Sequence, residues 1–271
     1  MKTKRPPNRY AALAKYADSL QGKGRYSFRR GEALDALGVS DEALQTAARR
    51  LTAKKRLVSP RRGFYVIVPL EYRSAGAPPP DWFIDELMKF QERPYYVGLL
   101  SAAALHGAAH QQPQEFQVVS DAPLRPTKAG RARLRFFTKR HFEPTPTLQM
   151  KTETGSMRVS TPEATALDLV RYASSAGHLA NVATVLAELA EKIEPKRLVE
   201  TAKLDVELSH VQRLGYLLDL VEAARLADPL ARWVASQRPR AVLLRPGRAT
   251  RGASREERWH LVINENVEVD R

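Results

Sequence analysis

Cysteine is absent from the 271 residues. That excludes a disulfide framework, a thiolate metal site and a cysteine nucleophile. Apolar runs are short, and none approaches the roughly 20 residues that a membrane-spanning helix needs. The first residues, MKTKRPPN, lack the apolar core of a signal peptide, so the expectation is a cytoplasmic protein with no membrane attachment. No glycine-rich loop suited to cradling phosphates occurs, and no internal repeat is visible. Histidines number only 6, and no pair of them is backed by a nearby carboxylate in helical spacing. No metal and no cofactor are expected.

Positive charge is abundant, and its placement says more than its total of +14. Residues 1–75 carry 17 Lys/Arg against 6 Asp/Glu, which is +11, whereas residues 76–235 carry 19 of each. A second basic stretch from Ser236 to Arg258 has 7 Arg against 2 Glu. Charge gathered in one segment points to a localised polyanion partner rather than to general solubility.

The stretch Tyr26–Val68 gives that segment a form. Leu34 and Leu37 supply the apolar edge of a short helix that ends at Gly38. Ser40 stands where an N-cap belongs, with Asp41 and Glu42 in the first turn of a second helix. Leu44, Ala47, Ala48 and Leu51 recur at helical spacing as its buried stripe, and Gln45, Thr46, Arg49 and Arg50 occupy the other face. Arg56–Ser59, a turn at Pro60–Gly63 and Phe64–Val68 then read as a hairpin with Arg61 and Arg62 at its tip. A supporting helix from Arg9 to about Gln21, capped by Asn8 and apolar at Tyr10, Leu13, Ala14, Ala17 and Leu20, precedes them. The ordered set describes a winged helix-turn-helix that binds double-stranded DNA. The bland alternative is two solvated helices and a basic hairpin. Candidate DNA contacts are Ser40, Gln45, Thr46, Arg49, Arg50, Lys54, Arg61 and Arg62.

Residues 73–80 contain three consecutive prolines and read as an extended linker. The expected division is therefore residues 1–72, a linker at 73–80, and a second domain at 81–271, with 1–75 able to fold alone. The second domain opens with a helix capped by Asp81, followed by the small-residue helix Leu99–Ala109. Strand patterns follow at Glu115–Ser120, Arg133–Thr138, Leu148–Thr152 and Met157–Val159. Ser160-Thr161-Pro162-Glu163 announces a helix to Tyr172, with further helices at Leu179–Lys192, Glu194–Lys203 and His210–Ala227. Two late strands, Ala241–Leu244 and Trp259–Asn264, flank the Arg-rich loop. Strands, a helical block and strands again predict an α+β fold: a winged helix-turn-helix followed by a mixed α/β domain.

The order of this helix-turn-helix, YYVGLLSAAALHGAA, STPEATALDLV and WHLVINENVEVD resembles the AbiEi family. Its members are antitoxins and transcriptional regulators of AbiE-type (type IV, abortive-infection) toxin–antitoxin systems. Ser101, Ala102, Leu105, His106 and Gly107 carry one motif, and Pro162, Glu163, Leu167 and Asp168 the other. The resemblance implies an N-terminal winged helix that represses its own operon and a second domain that contributes to antitoxicity. It also implies a nucleotidyltransferase-like toxin as partner.

Enzymatic readings fare poorly on the residues. His106 on an apolar helix reads as a satisfied packing histidine, and Gly107 interrupts any pairing with His110. Glu163 and Asp168 are five apart on one helix and face different ways, Glu163 toward the helix N-terminus and Asp168 toward a hydrogen bond or ion pair. The acidic tail Glu265, Glu268 and Asp270 reads as the solvated face of a terminal strand rather than as a nuclease's metal site. The chain is therefore expected not to be an enzyme. Arg238, Arg240, Arg245, Arg248, Arg251 and Arg255 form a candidate second basic patch, open to DNA, to a partner's acidic surface or to a plain flexible loop. A ligand-responsive transcription factor without a toxin partner remains the alternative to the antitoxin, and a DNA-targeted nuclease is the third reading.

Overall fold

The computed structural model describes residues 9–108 and 113–269. Asn8, His110 and Asp270, singled out above, lie outside the described residues, as does the MKTKRPPN arm. The chain begins with α1 (Arg9–Gln21), β1 (Ser27–Arg29), α2 (Arg30–Leu37), α3 (Asp41–Ala53), β2 (Leu57–Arg61) and β3 (Phe64–Ile67). The three strands form an antiparallel sheet in the order β1-β3-β2. β1 has no sequence signal beyond Phe28, because three residues are too few to show an alternation. It forms because the edge of β3 is open to it.

Gly38 adopts φ 59°, and its N–H closes α2 on the Leu34 carbonyl. The Ser40 hydroxyl accepts from the Ala43 N–H at 3.4 Å, so the cap read from sequence begins α3. Leu44, Ala47, Ala48 and Leu51 are all buried, against Leu13, Ala17 and Leu20 of α1 and against Phe28, Tyr65 and Ile67.

β3 is the central strand and is buried on both faces, which its unbroken apolar run FYVI anticipates. Tyr65 and Ile67 face the first core, while Phe64 and Val66 face the other way and join Phe83, Ile84, Leu87, Val97 and Val118. The period-two alternation of a strand thus divides one hairpin between two cores. Pro60 on β2 accepts a hydrogen bond from Thr127 Oγ1 at 2.5 Å, joining the edges of two sheets. The proline-rich segment does not stand off as a spacer. Ala77 is buried, and the Ala75 carbonyl accepts from Arg131 N–H at 2.8 Å. Gly76 (φ 79°) and Gly130 (φ 54°) meet here so closely that a Cβ on Gly130 would lie 2.3 Å from the Ala75 oxygen. The expectation that residues 1–75 fold alone therefore meets a shared core, since cutting there would expose Phe64 and Val66.

Next come α4 (Ile84–Phe90), β4 (Tyr95–Val97), α5 (Leu99–Leu105), β5 (Phe116–Ser120), β6 (Thr127–Ala129) and β7 (Ala132–Thr138). After them run β8 (Thr147–Thr152), β9 (Gly155–Ser160), α6 (Pro162–Arg171), α7 (His178–Leu189), α8 (Pro195–Leu204), α9 (Leu208–Leu220) and α10 (Ala224–Ser236). The last strands are β10 (Val242–Leu243), β11 (Ser254–Glu256) and β12 (Leu261–Ile263). β4 to β9 form a six-stranded mixed sheet in the order β6-β7-β5-β4-β9-β8, in which β4–β9 and β5–β7 are parallel. β10-β12-β11 form a second small sheet. The fold is mixed α and β, as the strand and helix patterns predict.

Several sequence expectations need correction. Asp81 does not cap α4, because it lies in a short 3-10 turn and the helix starts only at Ile84. The expected helix His210–Ala227 is two helices, broken where Glu222 takes φ 59°. Pro229, a residue that reads as a helix stop, sits inside α10. The cap of α6 lies where the Ser160-Thr161 pair placed it, with the Thr161 hydroxyl accepting from Ala164 N–H. Glu163 does not serve its own helix end; it is buried and accepts from the Glu194 N–H at 3.1 Å at the start of α8. Among the described residues no helix is long and apolar enough to cross a membrane.

Candidate nucleic-acid interface

The burial of Leu44, Ala47, Ala48 and Leu51 forces the remaining side chains of α3 outward. Thr46, Arg49 and Arg50 are exposed, and Gln45 is half-buried. Between α3 and the β2–β3 hairpin lies an open groove of about 510 Å³ lined by Gln45, Arg49, Thr52, Ser59, Arg62 and Arg30. Gly63, at φ 87°, turns the hairpin tightly enough to present Arg62 toward α3. Neither Arg49 nor Arg62 makes an ion pair with any described residue, and Arg50 makes none either. The groove thus carries cationic groups whose charge the fold leaves uncompensated.

Sequence reasoning missed Arg30. Its guanidinium pairs with Asp41, whose other oxygen accepts from Gln45 Nε2 at 2.7 Å. Asp41 therefore fixes both Arg30 and Gln45 at the entrance of α3. Arg30 is adjacent to Arg29 in sequence, yet its place beside α3 arises from the packing of α2, which no spacing reveals.

Of the other residues picked from sequence, Ser40 is committed to its cap, and Thr46, Arg50 and Lys54 lie on the exposed side of α3 or just past it, outside the groove lining. Arg61 lies elsewhere. It donates to the Arg125 carbonyl and lies over the Phe136 ring at 5.8 Å. Burial, then the neighbouring Arg125 charge, pushes its guanidinium below the ordinary value. The fold turns Arg61 toward the six-stranded sheet and leaves Arg62 in the groove. Consequently Arg62→Ala should lower the slope of log K against log salt for DNA by about one unit, and Arg61→Ala should change it less. Equal slopes for the two variants would place both arginines on phosphate.

The C-terminal arginines divide as well. Arg245 and Arg248 hold Glu265 at 2.6 and 3.2 Å. Glu265 is therefore no solvated strand face, and β12 has already ended at Ile263. Arg238, Arg240, Arg251 and Arg255 are exposed and have no ion pair among the described residues. No group of three or more His, Asp or Glu among the described residues is placed to hold a metal.

The two sequence motifs of the second half meet at one place. His106 Nε2 donates to the Ser160 carbonyl at 2.8 Å, as a packing histidine does. Asp168 is fully buried, accepting from Tyr96 OH at 2.8 Å and from Lys139 Nζ at 3.0 Å. These bonds tie β4 and the end of β7 to α6. Burial, then the Asp168 carboxylate, pushes the Tyr96 hydroxyl well above its ordinary value and keeps it a donor.

Residues 96–220, which contain this knot, match the family described as AbiEi antitoxin C-terminal domain. This is an AbiEi antitoxin domain. It gives the chain an antitoxin's role and, as for antitoxins in general, a toxin for a partner. The AbiEi match starts at Tyr96, so α1 to β3 and the groove lie outside it. No curated protein matches the chain. Among solved structures, the crystal structure of the RV2827C protein from Mycobacterium tuberculosis is similar over 95% of this chain and 92% of its own, with a TM-score of 0.65 and 17% identity. At that identity the likeness speaks for the fold, and it extends across both halves of this chain.

Proposed function

We propose that the chain is a DNA-binding antitoxin that represses its own toxin–antitoxin operon and counteracts a nucleotidyltransferase-like toxin in the cytoplasm, without being an enzyme. In this reading residues 1–72 are a winged helix-turn-helix, α3 enters the major groove, and residues 81–271 supply antitoxicity. The observation that carries the DNA-binding half is the groove between α3 and the hairpin, where Arg49 and Arg62 make no ion pair among the described residues. The excess of +11 in residues 1–75 supplies the field around it. The nature of the toxin rests on the family resemblance.

Gln45, Thr46 and Arg49 are the residues assigned to base edges. A bidentate Arg or Gln contact to a purine contributes about 1–3 kcal/mol of discrimination. Arg49→Ala should therefore weaken binding to the operon's promoter about tenfold or more and binding to random DNA far less, measured by fluorescence anisotropy at fixed salt. Equal losses on both DNAs would reduce Arg49 to a phosphate contact. Co-expression with the neighbouring gene, scored by rescue of growth, tests the antitoxin half.

A further inference from the structure

A second cavity, of about 240 Å³, lies between α6, the start of α7, α9 and the loop after β10. Its walls include Arg171, His178, His210, Arg213, Arg245 and Glu265. The charges here do not cancel. Arg171 pairs with Asp205 and Glu207, and Arg245 and Arg248 share Glu265. Arg213 makes no ion pair among the described residues; the Glu207 carboxylate, shared with Arg171 and His210, acts on it only at longer range. It is only 9% exposed, yet it donates only to neutral oxygens, Leu243 O at 3.0 Å and Ser209 Oγ at 3.3 Å. Burial pushes its guanidinium below the ordinary value, as expected of a cation lacking an adequate counter-charge. Nη2 of Arg213 makes no hydrogen bond among the described residues and is the free end of the fork.

Two further features converge on this space. α7 begins at the cavity wall with Gly177 (φ 80°) in the cap position and no side-chain cap, so its first N–H groups and the positive end of its dipole are available. Three buried polar atoms of lining residues also lack a hydrogen-bond partner: Arg171 Nε, His210 Nδ1, which lies 3.9 Å from Asp205 Oδ1, and Glu265 Oε2. Two of these residues can donate, whereas Glu265 can only accept. A ligand that satisfies the set must carry negative charge and also one O–H.

We propose that this cavity is a site for a protonated phosphate group, its oxygens facing Arg213 and the N-terminus of α7 and its P–OH donating to Glu265. Sulfate has the same shape and charge but no proton at neutral pH, so Glu265 discriminates against it. A buried cation without a counter-charge costs stability, and an anion that supplies the counter-charge raises it by mass action. The site lies on the antitoxin domain and does not depend on the DNA-binding proposal.

The test uses the full-length protein, with calorimetric titration and thermal unfolding at constant ionic strength in chloride. Inorganic phosphate should bind and raise the melting temperature, and sulfate should bind at least tenfold more weakly. A nucleoside monophosphate, whose second proton is largely lost at neutral pH, should like sulfate bind more weakly than inorganic phosphate, and tighter binding of the nucleotide would overturn the P–OH contact to Glu265. His178→Asp is the decisive variant, because His178 is exposed at φ 68°, a conformation that Asp tolerates, and an acid suits the first turn of a helix. It should fold and lose phosphate binding at least tenfold. Arg213→Met should do the same where it folds. Absence of phosphate binding in the wild type, equal binding of sulfate, or unchanged affinity in His178→Asp would overturn the proposal.

Discussion

Asp168→Ala is expected to lose about 3–5 kcal/mol of stability, enough to unfold much of the antitoxin domain. The loss comes less from the bonds themselves than from what they leave behind. Lys139 is 8% exposed and Tyr96 is fully buried, so removal of the carboxylate strands an ammonium and a hydroxyl away from water. The side chain also bridges sheet and helix, since Tyr96 lies on β4 and stacks on Phe142 at 5.3 Å while Asp168 lies on α6. Replacing both charged partners, Asp168→Leu with Lys139→Met, should recover a large part of the loss, because no orphan charge then remains. Urea unfolding of the single and double variants measures the difference. A cost below about 1 kcal/mol for Asp168→Ala would show that water reaches Lys139.

Trp259→Ala should cost a similar amount, about 3–5 kcal/mol, although the residue lies beyond the stretch that matches AbiEi. Its ring is fully buried, and its Nε1–H donates to Asp219 at 2.6 Å. The ring lies directly on α9 at Gly215, where an added Cβ would come within 2.1 Å of it. The contact explains a glycine in the middle of a helix, and it sets two effects against each other. Helix propensity favours Gly215→Ala by about 1 kcal/mol, whereas forcing a methyl into a packed core costs about 1–3 kcal/mol. The ring is enclosed and cannot swing aside, so the clash wins and Gly215→Ala should lower the melting temperature. A stabilised Gly215→Ala protein would mean that Trp259 does not pack as described. The same contact predicts that a fragment ending at residue 220 exposes this core, because the tail that fills it is missing.

Local patterns made much of the first half legible. Gly38, Ser40 and the stripe Leu44, Ala47, Ala48 and Leu51 each act through neighbours within a turn or two, so their roles follow from spacing. The α5 and α6 motifs placed their helices for the same reason. The break at Glu222 and the continuation of α10 through Pro229 were not legible, because tertiary packing overrides a local stop signal there. β1, β6 and β11 are three-residue strands whose existence depends on an open neighbouring edge rather than on their own residues.

For the candidate groove, sequence chose Gln45, Arg49 and Arg62 but could not tell Arg61 from Arg62. Arg61 ends β2 and Arg62 begins the turn, and which of the two meets the second sheet is decided by where that sheet lies. Arg30 and Arg213 were invisible for a related reason. Each is an ordinary arginine whose significance is a long-range balance of charge: one is tied to Asp41 eleven residues away, and the other makes no ion pair among the described residues. The sequence by itself determined α2 and α3 with their Gly38 and Ser40 caps, the buried helical stripe and the concentration of positive charge, since those depend on nearest neighbours and composition. Only the tertiary structure decided the division of β3 between two cores, the seating of the proline segment, the fate of each arginine and the insertion of Trp259 against Gly215. Those depend on residues far apart in the chain, whose encounter is fixed by packing of the whole.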